Sequence, residues 1–161
     1  MSEEQQPTTR PRSAADDLAE EHFAASLRLQ PLLALSIGAP AGPGLGDHSP
    51  AGTAAVADLA RATLARLGAV EPADDVDRTT LAALRERLGL EVELFDAGEL
   101  TGVLNVIASP LQELRMVFDL LPTDTAAHWE EIADRLAAVP AAVDGYVEGL
   151  RAAAAAGRVA A

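Results

Sequence analysis

The residues able to do chemistry in this chain are few. It has no cysteine, which removes disulfides, thiolate metal sites and a cysteine nucleophile. All twelve basic residues are arginine, so a phosphate-binding lysine and Schiff-base chemistry are absent as well. Three histidines remain, His22, His48 and His128, with no i, i+4 pair and no HExxH run. Glu21-His22 reads as a boundary histidine with a solvated neighbour, Asp47-His48 as a polar loop tip, and His128 as a first-turn surface residue beside Trp129. Gly42-Pro-Gly-Leu-Gly46 suggests a phosphate cradle. It follows no strand, however, and its prolines lack the donors a phosphate needs, so it reads as a flexible connector. Asp74, Asp75 and Asp77 lack the glycine and distal glutamate of a calcium loop and read as helix-start charge. Glu91 and Glu93, two apart on a helix, point different ways and make no acid–base pair. Ser26, Ser36, Ser49 and Ser109 stand outside any GxSxG context, and Ser49 and Ser109 have work as helix caps. The sequence therefore assigns no catalytic residue, no cofactor-binding residue and no metal ligand, and it predicts that the chain binds no zinc.

The elements that would carry these residues follow from composition. The chain has 161 residues and a mass of 16.7 kDa, the size of one domain. Hydrophobic residues make up 49% and aromatics only 3%, so the apolar mass is alanine and leucine, which favour helix over strand. The net charge of −13 provides no field for phosphates, and nucleic acid is excluded as a partner. No apolar run reaches membrane-spanning length, and Met1 to Arg12 lacks a secretory pattern, so neither membrane nor export is expected and the cytoplasm is the default location.

Residues 1–12 read as a disordered tail and 13–161 as a helical domain. Ser13 opens a helix over 14–29, and Pro31 opens a short one over 31–36. After the glycine loop, Ser49-Pro50 starts a third helix that stops at Gly68. A fourth spans about 76–97, with Gly89 as a place for a kink. Gly98 to Ala108 reads as helix or buried irregular chain. Ser109-Pro110-Leu111-Gln112 is a capping box for a helix that turns Leu111, Leu114, Val117, Phe118 and Leu121 inward and ends at Pro122. A helix from Asp124 or Thr125 turns Trp129, Ile132, Ala133, Leu136 and Val139 inward, and Pro140 ends or bends it before a last helix from about 141, with Val143, Tyr146, Val147 and Leu150 inward. The fold expected is all-α, an irregular array of six or seven helices.

Several segments, in this order, resemble one family. They are Leu29-Gln-Pro-Leu-Leu-Ala-Leu-Ser-Ile-Gly38, Leu88-Gly-Leu-Glu-Val-Glu-Leu94, Asp96-Ala-Gly-Glu99, Leu104 to Gln112, Val117 to Thr125, and Arg135-Leu-Ala-Ala-Val-Pro140. Together they are similar to the amino-terminal part of the domain of unknown function 885 family, and the alanine-rich, lysine-free composition looks like that of an actinobacterial member. The resemblance implies a much longer protein similar to zinc metallopeptidases of the carboxypeptidase Taq kind. Its HExxH helix and later glutamate would lie in the carboxy-terminal half, so zinc is implied only there. On this expectation the chain is a non-catalytic amino-terminal lobe, scaffold and cleft wall, whose partner is the remaining half of the fold or a second copy. The alternative is a free-standing helical protein-interaction module.

Overall fold

A computed structural model describes residues 10–158, and all of the regular structure in them is α-helix. Six helices follow in order: α1 Ala14–Leu29, α2 Pro31–Ser36, α3 Pro50–Leu67, α4 Asp75–Asp96, α5 Pro110–Leu120 and α6 Ala126–Ala155. The fold is all-α, as the composition dictates.

Local chemistry sets most of the helix ends. The side chains of Ser13, Ser49, Asp74 and Thr125 each accept an amide from the first turn of the helix they precede. Pro31, Pro50 and Pro110 occupy first-turn positions, where their missing N–H costs nothing. At α5 the expected capping box of Ser109 and Gln112 forms. The Gln112 amide donates to the Ser109 carbonyl (2.9 Å), while the Ser109 amide (3.1 Å) and hydroxyl both donate to Gln112 Oε1. The glutamine side chain thus carries the cap of a serine that is itself buried.

Two groups of helices share the packing. Helix α3 lies against α4 and α1, with Ala15, Leu18, Leu67 and Leu81 at the centre. Helix α2 lies against α5, and α5 against α6, around Leu114, Val117, Ala142 and Leu45 from the glycine loop. Each buried leucine or valine removes enough apolar surface from water to contribute about 1.5–3 kcal/mol. Contacts of α3 with α6 and of α1 with α2 join the groups.

Several expectations change. Pro140 does not end a helix: α6 is continuous over 30 residues, so there are six helices and not seven. Its inward stripe matches the expected one in part. Tyr146 is buried and Ile132 and Val139 are half-buried, but Trp129, Ala133 and Leu136 are exposed, and Arg135 and Ala142 are buried instead. Leu111, expected inward on α5, is exposed too, although Leu114, Val117 and Leu121 are buried. Residues 98–108 form irregular chain and no helix, buried at Gly98 but exposed from residue 103 on: Val106 is 90% and Ile107 83% exposed. Asn105 shapes the tip by accepting the Ile107 (2.9 Å) and Ala108 amides, a side-chain turn that replaces helical hydrogen bonds. Gly89 leaves α4 uninterrupted.

Of the segment read as a tail, residues 1–9 lie outside the described residues, as do 159–161 of the helical domain. Arg10 is part-buried and pairs with Asp77 (3.1 Å) and Asp74 (3.3 Å), while the Ser13 hydroxyl donates to Asp77 (2.7 Å). Asp77 is buried, and it also accepts the Ala73 amide (2.9 Å). These contacts pin the start of α1 to the start of α4. The Ala73 amide first, then the Ser13 hydroxyl and the Arg10 charge, hold the Asp77 carboxyl below its ordinary range. The aspartate cluster is therefore a structural joint. No helix among the described residues is long and apolar enough to cross a membrane.

Candidate functional site

The glycine loop between α2 and α3 is the first part of the candidate site. It is fastened and not a free connector. Arg135, 2% exposed on α6, donates Nη2 to the Gly42 carbonyl (3.0 Å) and Nη1 to the Gly44 carbonyl. Glu131, one turn earlier, accepts from the same guanidinium at 2.8 and 3.2 Å. A guanidinium fork suits this task because its planar donors reach two carbonyls and a carboxylate at once. Leu45, 2% exposed, plugs the loop into the α2–α5–α6 group. His48 sits half-buried with Nε2–H donating to the Leu45 carbonyl (3.0 Å), so it is a loop strut and not a loop tip.

The loop's far end is pressed against α3. A Cβ at Gly52 would fall 2.0 Å from the Asp47 carbonyl oxygen, a distance no side chain tolerates. Asp47 accepts the Ser49 amide at 2.9 Å, and the hydrogen bonds from Ser49 draw its carboxyl below the ordinary range, so it is ionised at neutral pH.

Opposite the loop runs the irregular segment after α4. Gly102 adopts φ +83°, and a Cβ there would meet the Ala153 side chain at 2.5 Å, which brings this segment close against α6. The Tyr146 hydroxyl, on a buried side chain of α6, donates to the Val103 carbonyl (2.6 Å). Loop, segment and helices together enclose a cavity of about 670 Å³ that opens to the surface. Apolar wall comes from Leu33, Val56, Met116 and Leu120, and polar wall from Thr53, Thr101 and the carboxylates Asp47, Glu91 and Glu113. Glu91 is half-buried, and that burial pushes its carboxyl above its ordinary range.

The histidines are not brought together. His48 borders the cavity. His22 lies between α1 and α3, with Nδ1 2.9 Å from Thr63 Oγ1 and Nε2 3.3 Å from Ser26 Oγ. His128 stands in the first turn of α6, half-buried, and its Nδ1 has no hydrogen-bond partner among the described residues. Among the described residues no three His, Asp or Glu side chains are grouped so as to hold a metal ion. A zinc centre does not fit these residues. Glu91 and Glu93 diverge as their spacing requires, since only Glu91 lines the cavity.

Sequence reasoning missed Arg135, Glu113 and Tyr146 as parts of the site. The Glu131–Arg135 spacing signals a helix-face pair, but the loop carbonyls that bury the arginine lie 91 and 93 residues away. Tyr146 was legible as an inward residue, and its polar end gave no sign of its partner.

No curated protein matches the chain significantly. A family model described as bacterial protein of unknown function (DUF885) matches residues 31–161, which takes in α2 to α6 and every wall of the cavity except the end of α1. With that match over well more than half of its length, the chain belongs to the DUF885 family of bacterial proteins.

Proposed function

We propose that this chain serves as a non-catalytic helical region, the scaffold and one cleft wall of a metal-dependent hydrolase or peptidase-like protein of the DUF885 family. The observation that carries the reading is the cavity itself: a surface-open hollow of about 670 Å³, framed by parts of all six helices. Its volume suits a ligand, and most of its wall is apolar with a few polar groups. A face that can bind but holds no assembled nucleophile, base or metal set among the described residues suits a wall better than a reaction centre. On this reading the zinc ligands come from polypeptide outside these 161 residues, and the protein works in the cytoplasm.

The test compares two proteins: the chain alone, and the chain with any in-frame sequence encoded downstream. Both are dialysed, assayed for zinc and offered a panel of short peptides. Zinc and hydrolysis are expected only in the longer protein. One tightly held zinc per chain, or peptide hydrolysis, from the 161 residues alone overturns the proposal.

A second reading, a free-standing interaction module, draws on the exposed tip at Val106 and Ile107. Light scattering separates the two. A dimer that returns to monomer when both residues become serine favours the module.

A further inference from the structure

The cavity carries charge that its own neighbours do not satisfy. Three carboxylates line it and no arginine does. Its one histidine, His48, spends Nε2 on the Leu45 carbonyl. Asp47 is engaged by the Ser49 amide, but Glu91 and Glu113 have no side-chain hydrogen bond or ion pair with any described residue. The three carboxylates are not grouped so as to hold a metal ion. What they create is negative potential beside an apolar hollow, least screened by water at the half-buried Glu91, and it attracts a cation. The volume lies within the roughly 300–1,000 Å³ range of small-molecule sites.

We infer that the cavity binds a small organic cation, a protonated amine on an apolar skeleton, with its ammonium drawn to Glu91 and Glu113 and its skeleton against Leu33, Met116 and Leu120. Either half of such a ligand alone gains little. A metal ion or inorganic cation leaves the leucines and methionine in water, and a neutral hydrocarbon leaves Glu91 half-buried without a counter-charge. The carboxyl of Glu91, raised by burial, falls again when an ammonium docks beside it, so binding of the amine strengthens as Glu91 ionises. The inference rests on the cavity being a binding wall, and it needs nothing from the metal chemistry proposed for the rest of the fold.

The probes are 4-phenylbutylamine, 4-phenylbutanol and 4-phenylbutanoate, titrated calorimetrically into the full 161-residue chain at one ionic strength. The amine is expected to saturate one site and to bind about tenfold more tightly than the alcohol, the range of one charge-assisted hydrogen bond. The carboxylate is expected not to bind. Glu91→Gln with Glu113→Gln is expected to abolish the advantage of the amine over the alcohol. An unchanged far-UV circular dichroism spectrum and urea midpoint show that the variant is folded. Glu93→Gln, on the same helix but outside the cavity, is expected to change nothing. Equal affinity for amine and alcohol overturns the inference, as does no saturable binding. An equal loss in Glu93→Gln also overturns it, because the amine is then responding to the overall charge of −13. None of these outcomes alters the zinc and hydrolysis result, so failure here is distinct from failure of the cleft-wall reading.

Discussion

His22 illustrates how far one residue's surroundings decide its chemistry. The Thr63 hydroxyl has a single proton, and it donates that proton to the Leu59 carbonyl (2.9 Å). Thr63 Oγ1 can therefore only accept from His22, which places the imidazole proton on Nδ1. In the neutral ring Nε2 is then left as an acceptor for the Ser26 hydroxyl. Burial lowers the pKa of this ring below 6.5. The sign follows directly. As the pH falls below about 6.5, the unfolded chain takes up a proton that the folded chain refuses, so stability present above that value is lost on acidification. Urea midpoints measured from about pH 7.5 to about pH 5.5 should fall more steeply for the native chain than for His22→Gln. Equal slopes would remove His22 as the cause. The Asp77 carboxyl, held below 3.8, contributes in a separate and lower window, its stabilisation being lost only as the pH falls through acid values.

At the scale of the element, helix ends were legible and helix faces less so. Caps are local: Ser13, Ser49-Pro50 and the Ser109–Gln112 pair announce their helices within four residues, and α1, α3 and α5 begin where those residues place them. Pro140 fails to end its helix for a reason that lies outside that helix. A proline in mid-helix removes a hydrogen bond and costs about 3 kcal/mol in isolation. Here Ala138, Val139, Ala142 and Val143 pack on the α2–α5–α6 group on both sides of it, and Pro140 itself is exposed, where water can serve the freed carbonyl. The burial of Arg135 was invisible for a related reason, since it depends on loop carbonyls that only the tertiary fold delivers. The site shared that fate: the sequence presented Glu91, Asp47 and His48 as separate and inert, and folding alone puts them around one hollow. Gly89 offers a clean test of the element itself. It lies inside α4, and an added Cβ would meet nothing within 4 Å. Gly89→Ala should therefore stabilise the chain by about 0.5–1 kcal/mol and raise its urea midpoint. A lower midpoint would mean that α4 needs a break at this position.

On the scale of the whole molecule, chain order and spatial grouping do not coincide. One group takes α1, α3 and α4, the other α2, α5 and α6, so the polypeptide changes sides at Gln30, through the glycine loop, and again after α4. That interleaving bears on the exposed tip at Val106 and Ile107. A protease that cuts beside small aliphatic residues meets its most accessible bond there, at an irregular tip with few contacts to resist it. The cut would yield one piece carrying α1 to α4 and another carrying α5 and α6. Yet α2 of the first piece lies on α5 of the second, and α3 lies on α6. Limited elastase digestion should accordingly give two bands in denaturing electrophoresis but a single peak of unchanged volume in gel filtration. Fragments that part without denaturant would refute it. Nicked in this way, the protein becomes a non-covalent heterodimer of its own halves, and the two pieces, made separately and mixed, should complement each other into the same fold.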